Sequence, residues 1–138
     1  MKRQIRYWDA DCFLAWLKAE PEKATSCRGA VTGASKGEIM LVTSALTLVE
    51  VIKLKGRQHV TKADAKLISD FFKNEFIRVQ NVDRYIAELA RNLIWNHESL
   101  QPKDAIHVAT AVKHEIERFD TFDEKLIKLS GKLVAGQW

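Results

Sequence analysis

The sequence predicts an α/β fold, specifically a three-layer α/β/α sandwich with a mainly parallel central sheet. Short β-prone or apolar runs alternate with helical patterns along the 138 residues, as expected for parallel strands joined by crossover helices. One run, residues 39–42, is apolar at every position, which is typical of a strand buried on both faces. The length suffices for one hydrophobic core, so a single domain over residues 1–138 is expected.

The first strand is predicted from the β-prone residues Tyr7 and Trp8, and it ends at Asp9. A helix is expected from residue 12 to about residue 18. Asp11 is predicted to be its N-cap, because Asp9 lies slightly too early in the chain for that position. The carboxyl ends of strands in open α/β sheets are where ligands bind. Asp9 is therefore the first candidate for chemistry.

The middle of the chain contains a weaker helical pattern over residues 22–35, followed by the apolar strand. Ser44 is predicted to N-cap a helix that carries Glu50 and ends at Gly56. A short-armed capping box at residues 61–64 then predicts the start of another helix.

The remaining elements follow the same alternation. A third strand is predicted at residues 76–79, and Asn81 is expected to cap a long helix. Its apolar residues recur at helical spacing, which predicts a face packed on the core: Val82, Tyr85, Ile86, Leu89, Ala90, Leu93 and Ile94. After Pro102 comes a helix with Asp104 in its first turn, near the positive end of the helix dipole.

The C-terminal part is predicted to contain a short β-like segment at residues 118–122 that leads to Asp123. A last helix is expected to end at Gly131. Residues 133–134 are predicted as a final edge strand.

Composition narrows the functional classes. The apolar runs are too short to span a membrane and there is no signal-peptide pattern, so a cytoplasmic protein is expected. The two cysteines form no zinc motif. The net charge of +4 is compatible with a polyanionic partner or with solubility alone. Six basic residues near Glu50 fit a nucleic-acid surface or a solvated helix end equally well: Lys53, Lys55, Arg57, His59, Lys62 and Lys66.

Four acidic residues, Asp9, Glu50, Asp104 and Asp123, lie where a parallel sheet would bring them to one edge. Converging carboxylates need a compensating cation, and Mg²⁺ or Mn²⁺ suits ligands that are all oxygen. The implied reaction is in-line hydrolysis of a phosphodiester. Spacing alone does not single these residues out, because a chain with 18 acidic residues offers many such quartets.

Four segments nevertheless resemble, in order, the acidic motifs of PIN-domain ribonucleases, and most closely those of VapC-type toxins of toxin–antitoxin modules. They are YWDAD at 7–11, TSALTLVEV at 43–51, KDAIHVATA at 103–111 and TFD at 121–123. The resemblance spans about residues 5–130.

This resemblance implies a Mg²⁺- or Mn²⁺-dependent endoribonuclease that cleaves tRNA, rRNA or another structured RNA. Such toxins are usually homodimers, and a cognate antitoxin inserts a segment over the active site. By family analogy, the antitoxin groove is expected near residues 44–72. The catalytic, metal-binding acids carried over by motif are Asp9, Glu50, Asp104 and Asp123. Thr121 would orient the last acid or a bound water, and Ser44 supports the site as a helix cap.

Two positions depart from the family pattern. Asp11 stands where a neutral Asn, Ser or Thr is usual, so it is either an outer-sphere ligand or a helix cap, and capping is the favoured interpretation. The segment before Asp123 is unusually polar, so Asp120 competes with Asp123 for the site. Strand alternation sends the two to opposite faces, and the Thr-x-Asp spacing from Thr121 selects Asp123.

His107 lies one turn after Asp104 and is interpreted as a packing or hydrogen-bonding residue rather than a general base. Two other functions remain open from sequence. Asp9 and Asp11 superficially match the nucleophile and acid of aspartyl phosphatases. A PIN-like module that binds RNA or protein without cutting is the other alternative.

Overall fold

A computed structural model describes residues 3–51, 61–116 and 118–134, with side chains up to residue 129. The strands and helices follow one another in the order β1 Gln4–Trp8, α1 Ala10–Leu17, α2 Lys23–Ser35, β2 Ile39–Ser44, α3 Ala45–Glu50, α4 Lys62–Phe71, β3 Ile77–Gln80, α5 Arg84–Asn96, α6 Pro102–Lys113, β4 Arg118–Asp120 and α7 Glu124–Val134.

The four strands in the described part of the chain form one sheet in the order β3–β2–β1–β4, and every neighbouring pair is parallel. In the two central strands Tyr7 lies opposite Val42, and on the other side of β1 it lies opposite Phe119. All six residues of β2 are buried, as its apolar run predicts. The predicted α/β fold with a parallel sheet is therefore confirmed.

Helices cover both faces of the sheet, which gives the predicted three layers. Trp8 and Leu41 pack into a core with α1, α2 and α4. Their strand neighbours Tyr7, Met40 and Val42 belong to a cluster on the other face, which includes Ala111 of α6. Successive strand residues point to opposite faces, so one short sheet supplies two cores.

Helix α1 begins earlier than predicted. Asp9 is its N-cap, and its Oδ1 accepts a hydrogen bond from the Cys12 backbone N–H at 3.2 Å. Asp11 lies in the first turn, so the prediction that Asp11 caps this helix is wrong. Strand β1 ends at Trp8 and α1 begins at Ala10, and Asp9 between them has the extended backbone typical of an N-cap.

Helix α5 also has a different cap. Asp83 accepts from the Ile86 N–H at 2.9 Å, so the prediction of Asn81 as the cap is wrong. Since the helix starts at Arg84, Val82 lies before it, and Tyr85 is on its exposed side.

The predicted caps Ser44 and Thr61 are confirmed, and each side chain accepts from a backbone N–H of the helix that follows it. Helix α7 continues through Gly131 to Val134, so the predicted helix end and the edge strand at residues 133–134 are wrong. A single glycine costs a helix only about 1 kcal/mol, which good helix formers around it outweigh.

Helix α3 ends at Glu50, with Val51 as its C-cap, so the prediction that this helix runs on to Gly56 is wrong. Gly56 itself and the basic residues at positions 53–59 lie outside the described residues. Lys62 and Lys66 of that group are exposed on α4. None of the helices in the described parts of the chain is long and apolar enough to cross a membrane.

Candidate active site

Asp9 lies at the carboxyl end of β1 and is almost fully buried, with 4% of its surface exposed. Its Oδ1 caps α1 through the Cys12 N–H, and its Oδ2 accepts a hydrogen bond from the Thr121 hydroxyl at 2.5 Å. The same hydroxyl oxygen accepts from the Asp123 N–H at 3.1 Å. Because β1 and β4 are parallel neighbours, Thr121 links the first and last of the candidate acids.

Burial raises the pKa of Asp9 to about 6. The hydrogen bond from Thr121 opposes this shift, and the negative charge of Asp11 adds to it. A carboxylate that is ionised in this position therefore lacks part of the solvation it would have in water. Such a group gains more than a surface carboxylate does when a cation approaches.

Glu50 lies at the last residue of α3 and is held by a chain of side chains. Its Oε1 is 2.7 Å from His107 Nε2, and His107 Nδ1 is 2.6 Å from the Tyr7 hydroxyl. Burial raises the pKa of Tyr7 well above its usual value, so the phenol keeps its proton. In the tautomer that carries its proton on Nε2, His107 accepts a hydrogen bond from the Tyr7 hydroxyl and donates one to Glu50.

This chain of contacts confirms the interpretation of His107 as a hydrogen-bonding residue. Tyr7 was not predicted from the sequence as a site residue. Strand alternation could have indicated it, because Tyr7 and Asp9 are two residues apart on an extended chain and so point to the same side.

Asp104 occupies the first turn of α6, one turn before His107. Burial raises its pKa, and the charges of Asp123, Glu50 and Asp11 raise it further, while His107 opposes the shift. Three carboxylates from other parts of the chain therefore lie within electrostatic range of Asp104.

Asp11 belongs to this group of charges although it does not cap α1. Although Asp11 is exposed at the surface, partial loss of solvation raises its pKa; the charges of Glu50 and Asp123 add to this shift, and Lys23 opposes it. Asp11 therefore lies within electrostatic range of Glu50 and Asp123.

Asp120 and Asp123 have different surroundings. Asp120 accepts from Arg6 Nε at 2.7 Å and from Trp8 Nε1 at 2.9 Å. It also pairs with Arg118. Asp123 precedes α7 and accepts from the Lys125 N–H at 2.9 Å, and its charge acts on the other acids. Asp120 is thus committed to an ion-pair network outside the acid group.

The donor set consists of carboxylate oxygens, which suits a hard divalent cation such as Mg²⁺ or Mn²⁺. Burial raises the pKa values of Asp11 and Asp104, and the negative charges of neighbouring acids add to both shifts. Among the described residues, no three potential ligands are yet close enough together to hold an ion. In charge and donor chemistry the group is therefore suited to a divalent cation.

The comparisons with known proteins agree with this geometry. The model of the PIN domain family matches residues 6–132. Two relatives are each 28% identical over 109 residues, covering 76% of this chain and 79% of theirs: a VapC ribonuclease of Mycobacterium bovis and ribonuclease VapC13 of Mycobacterium tuberculosis.

Two solved structures share the fold. The VapC20 toxin of Mycobacterium tuberculosis, described as cleaving the sarcin–ricin loop, has a TM-score of 0.73 at 17% identity, over 90% of this chain and 94% of that one. A toxin–antitoxin complex from Klebsiella pneumoniae has a TM-score of 0.61 at 20% identity, over 87% and 88% of the chains. These matches confirm the resemblance predicted from the motifs: the chain belongs to the PIN-domain family.

Proposed function

We propose that this protein is a Mg²⁺- or Mn²⁺-dependent endoribonuclease of the VapC type and the toxin of a toxin–antitoxin pair, formed by a single PIN domain over residues 1–138. The observation that carries the proposal is the placement of the acids: buried Asp9 at the carboxyl end of β1 is joined through Thr121 to Asp123, and the charges of Glu50 and Asp123 act on Asp104. The VapC ribonucleases among its relatives support the choice of RNA as substrate.

We assign Asp9, Glu50, Asp104 and Asp123 as the metal-binding, catalytic acids. A divalent ion bound by them supplies Lewis-acid stabilisation of the charge that develops during phosphodiester hydrolysis. Each oxygen of Asp9 accepts one protein hydrogen bond and retains further acceptor capacity. Its position can therefore be fixed by the protein while it binds an ion.

The other site residues position these acids. Thr121 holds Asp9 through its hydroxyl, and His107 holds one oxygen of Glu50. Ser44 caps the helix that carries Glu50. Asp11 stands beside the group as an additional acid, which we assign to the outer sphere of the ion.

A groove between α1 and α4 supports the proposal of an antitoxin partner. It has a volume of about 280 Å³ and is lined mainly by apolar side chains, with Lys18 and Asp64 paired at 2.9 Å. Leu67 on its wall is 66% exposed. An amphipathic antitoxin segment would bury this surface. We also propose a homodimer, for which the exposed Trp95 of α5 offers apolar surface.

The test is cleavage of total tRNA and of rRNA fragments in Mg²⁺ or Mn²⁺, with EDTA as the metal control. Asp9→Asn removes one carboxylate charge at nearly constant size and should abolish cutting. Asp70→Asn changes an exposed acid of α4 and should leave cutting intact. The ends of the fragments would identify the target.

Two outcomes would contradict the proposal. Tight RNA binding without cutting at any metal concentration, unaltered in Asp104→Asn, would show a non-catalytic module. A phosphorylated Asp9 trapped during turnover would show a phosphatase.

A further inference from the structure

A separate pocket adjoins the acid group. It has a volume of about 290 Å³, and Asp104 forms part of its wall. The remaining wall comes from the end of α5, the loop that follows it, and α7: His97, Ser99, Leu100, Lys125, Lys128 and Leu129. None of these six side chains has a place in the proposed metal site.

The pocket has an apolar part and a cationic part. Leu100 and Leu129 are buried, whereas Lys125 and Lys128 are exposed on the first turns of α7. The acids alone would repel the phosphates of RNA. Two ammonium groups at the border of the acid group offset that repulsion, and ammonium groups are the usual partners of RNA phosphates.

His97, on the wall of the pocket, carries a polar atom that the described part of the chain leaves unsatisfied. Its backbone N–H caps α5 by donating to the Leu93 carbonyl at 2.9 Å. Its side-chain Nε2 is buried and has no hydrogen-bond partner within the described part of the chain. Such atoms are rare in native proteins and call for an explanation.

Resting on the nuclease function proposed above, we propose that this pocket binds one nucleotide of the RNA next to the scissile phosphodiester. Its phosphate lies at Lys125 and Lys128, and its base packs on Leu100 and Leu129. A turn of the His97 ring brings Nε2 to a hydrogen-bonding edge of that base.

The size and the chemistry of the pocket both favour a single nucleotide. Small-molecule sites begin at about 300 Å³, so the pocket holds one nucleotide rather than a longer segment. Hydrogen bonds to bases carry sequence information and phosphate contacts do not. His97 is therefore a specificity-determining residue at one position beside the cut, and the two lysines bind any sequence.

Binding is measured in the Asp9→Asn background, so that RNA is not cut. The probes are four short homo-oligoribonucleotides, of A, C, G and U respectively. Their binding is measured by fluorescence anisotropy. His97→Ala should weaken binding of the preferred oligomer about three- to tenfold, the usual effect of one hydrogen bond. The affinities for the four oligomers should also become more alike. His97→Gln, which keeps a hydrogen-bonding group, should retain part of the preference.

The matched control is His114→Ala. His114 caps α6 through its backbone as His97 caps α5, but it does not line the pocket. Lys128→Gln should instead weaken all four oligomers alike and reduce the salt dependence of binding by about one phosphate contact. Thermal unfolding of each variant reports whether it is folded.

In the cleaving wild-type background, His97→Ala should raise KM and relax the base preference beside the cut, with kcat within about twofold of the wild type. If both His97 variants keep the wild-type affinities and the wild-type cleavage pattern, the proposal that this pocket binds a nucleotide is wrong, even if metal-dependent cleavage is found. Absence of metal-dependent cleavage with the His97-dependent preference intact would overturn the nuclease proposal and leave the pocket standing.

Discussion

Asp9 serves two purposes at once, as a helix cap and as a candidate ligand. Its Oδ1 accepts from the first turn of α1, and its Oδ2 accepts from Thr121. These bonds fix the carboxylate in a place where burial raises its pKa to about 6. In the metal-free protein, the ionised carboxylate of Asp9 therefore lowers the free energy of unfolding, but its side chain is already oriented.

This cost predicts a pH dependence of stability. The pKa of Asp9 is about 6 in the folded state and about 3.8 in the unfolded state, so the folded state binds more protons between these values. The stabilising contribution of protonated Asp9 is complete below the unfolded pKa and is lost as the pH rises through about 6. Asp9→Asn should remove this component of the pH dependence and raise the free energy of unfolding near neutral pH by about 1–3 kcal/mol.

Urea unfolding at several pH values in metal-free buffer checks this prediction. Asp70→Asn, on the exposed side of α4, is the control and should follow the wild-type profile. A destabilised Asp9→Asn at neutral pH would show that the carboxylate contributes more as a cap than burial costs.

Tyr7→Phe tests the chain of contacts that holds Glu50. It removes the hydroxyl that is 2.6 Å from His107 Nδ1, and so leaves a buried ring nitrogen without its partner. We expect a loss of about 1–3 kcal/mol in unfolding free energy and a lower kcat for RNA cleavage. Tyr85→Phe, at a 60% exposed position, should change neither quantity. An unaltered His107 tautomer in nitrogen NMR of Tyr7→Phe would contradict the proposed role.

At the scale of the element, the residue at which a helix starts determines which nearby acid serves as its N-cap. The choice between Asp9 and Asp11 as the cap of α1 depends on where β1 ends, and sheet pairing fixes that end at Trp8. Local sequence does not contain this information, since both residues are good caps. Because Asp9 takes the cap, Asp11 lies in the first turn of the helix, where the charges of Glu50 and Asp123 act on it.

The start of α5 is open to a direct test. Asp83→Ala should lower the melting temperature by about 2–6 °C through loss of the cap and of the ion pair with Lys113. Asn81→Ala should leave it within about 1 °C, because Asn81 precedes the helix. Differential scanning calorimetry compares the two variants. A larger loss for Asn81→Ala would restore it as the cap.

At the scale of the whole molecule, the fold class was predictable because two simple sequence patterns that extend along the chain indicate it. The buried run of β2 and the alternation of strands and helices are sufficient for a parallel sheet. From the motifs, Asp9, Glu50 and Asp104 were also expected to lie at one edge of the sheet. The contact of Tyr7 with His107 was not predictable, because it joins residues 100 positions apart through packing that no spacing encodes.

The shared charge of the acids predicts a response of the whole molecule to metal. Mg²⁺ or Mn²⁺ should raise the melting temperature of the wild type, by the equivalent of about 2–3 kcal/mol at a hundredfold excess over Kd. Asp104→Asn should show a reduced response, whereas Asp70→Asn should respond fully. Equal shifts in all three proteins would place the ion elsewhere.

Strand β4 gives the molecule a weak point. It is three residues long and lies at one edge of the described sheet, yet Thr121 and Asp123 both follow it directly. Short edge strands open by local fluctuation at a fraction of the global unfolding free energy. Amide hydrogen exchange should therefore be faster in β4 than in β2. On heating, catalytic competence should fade before the sheet melts, so that the active site behaves as a separate, less stable unit inside an intact fold.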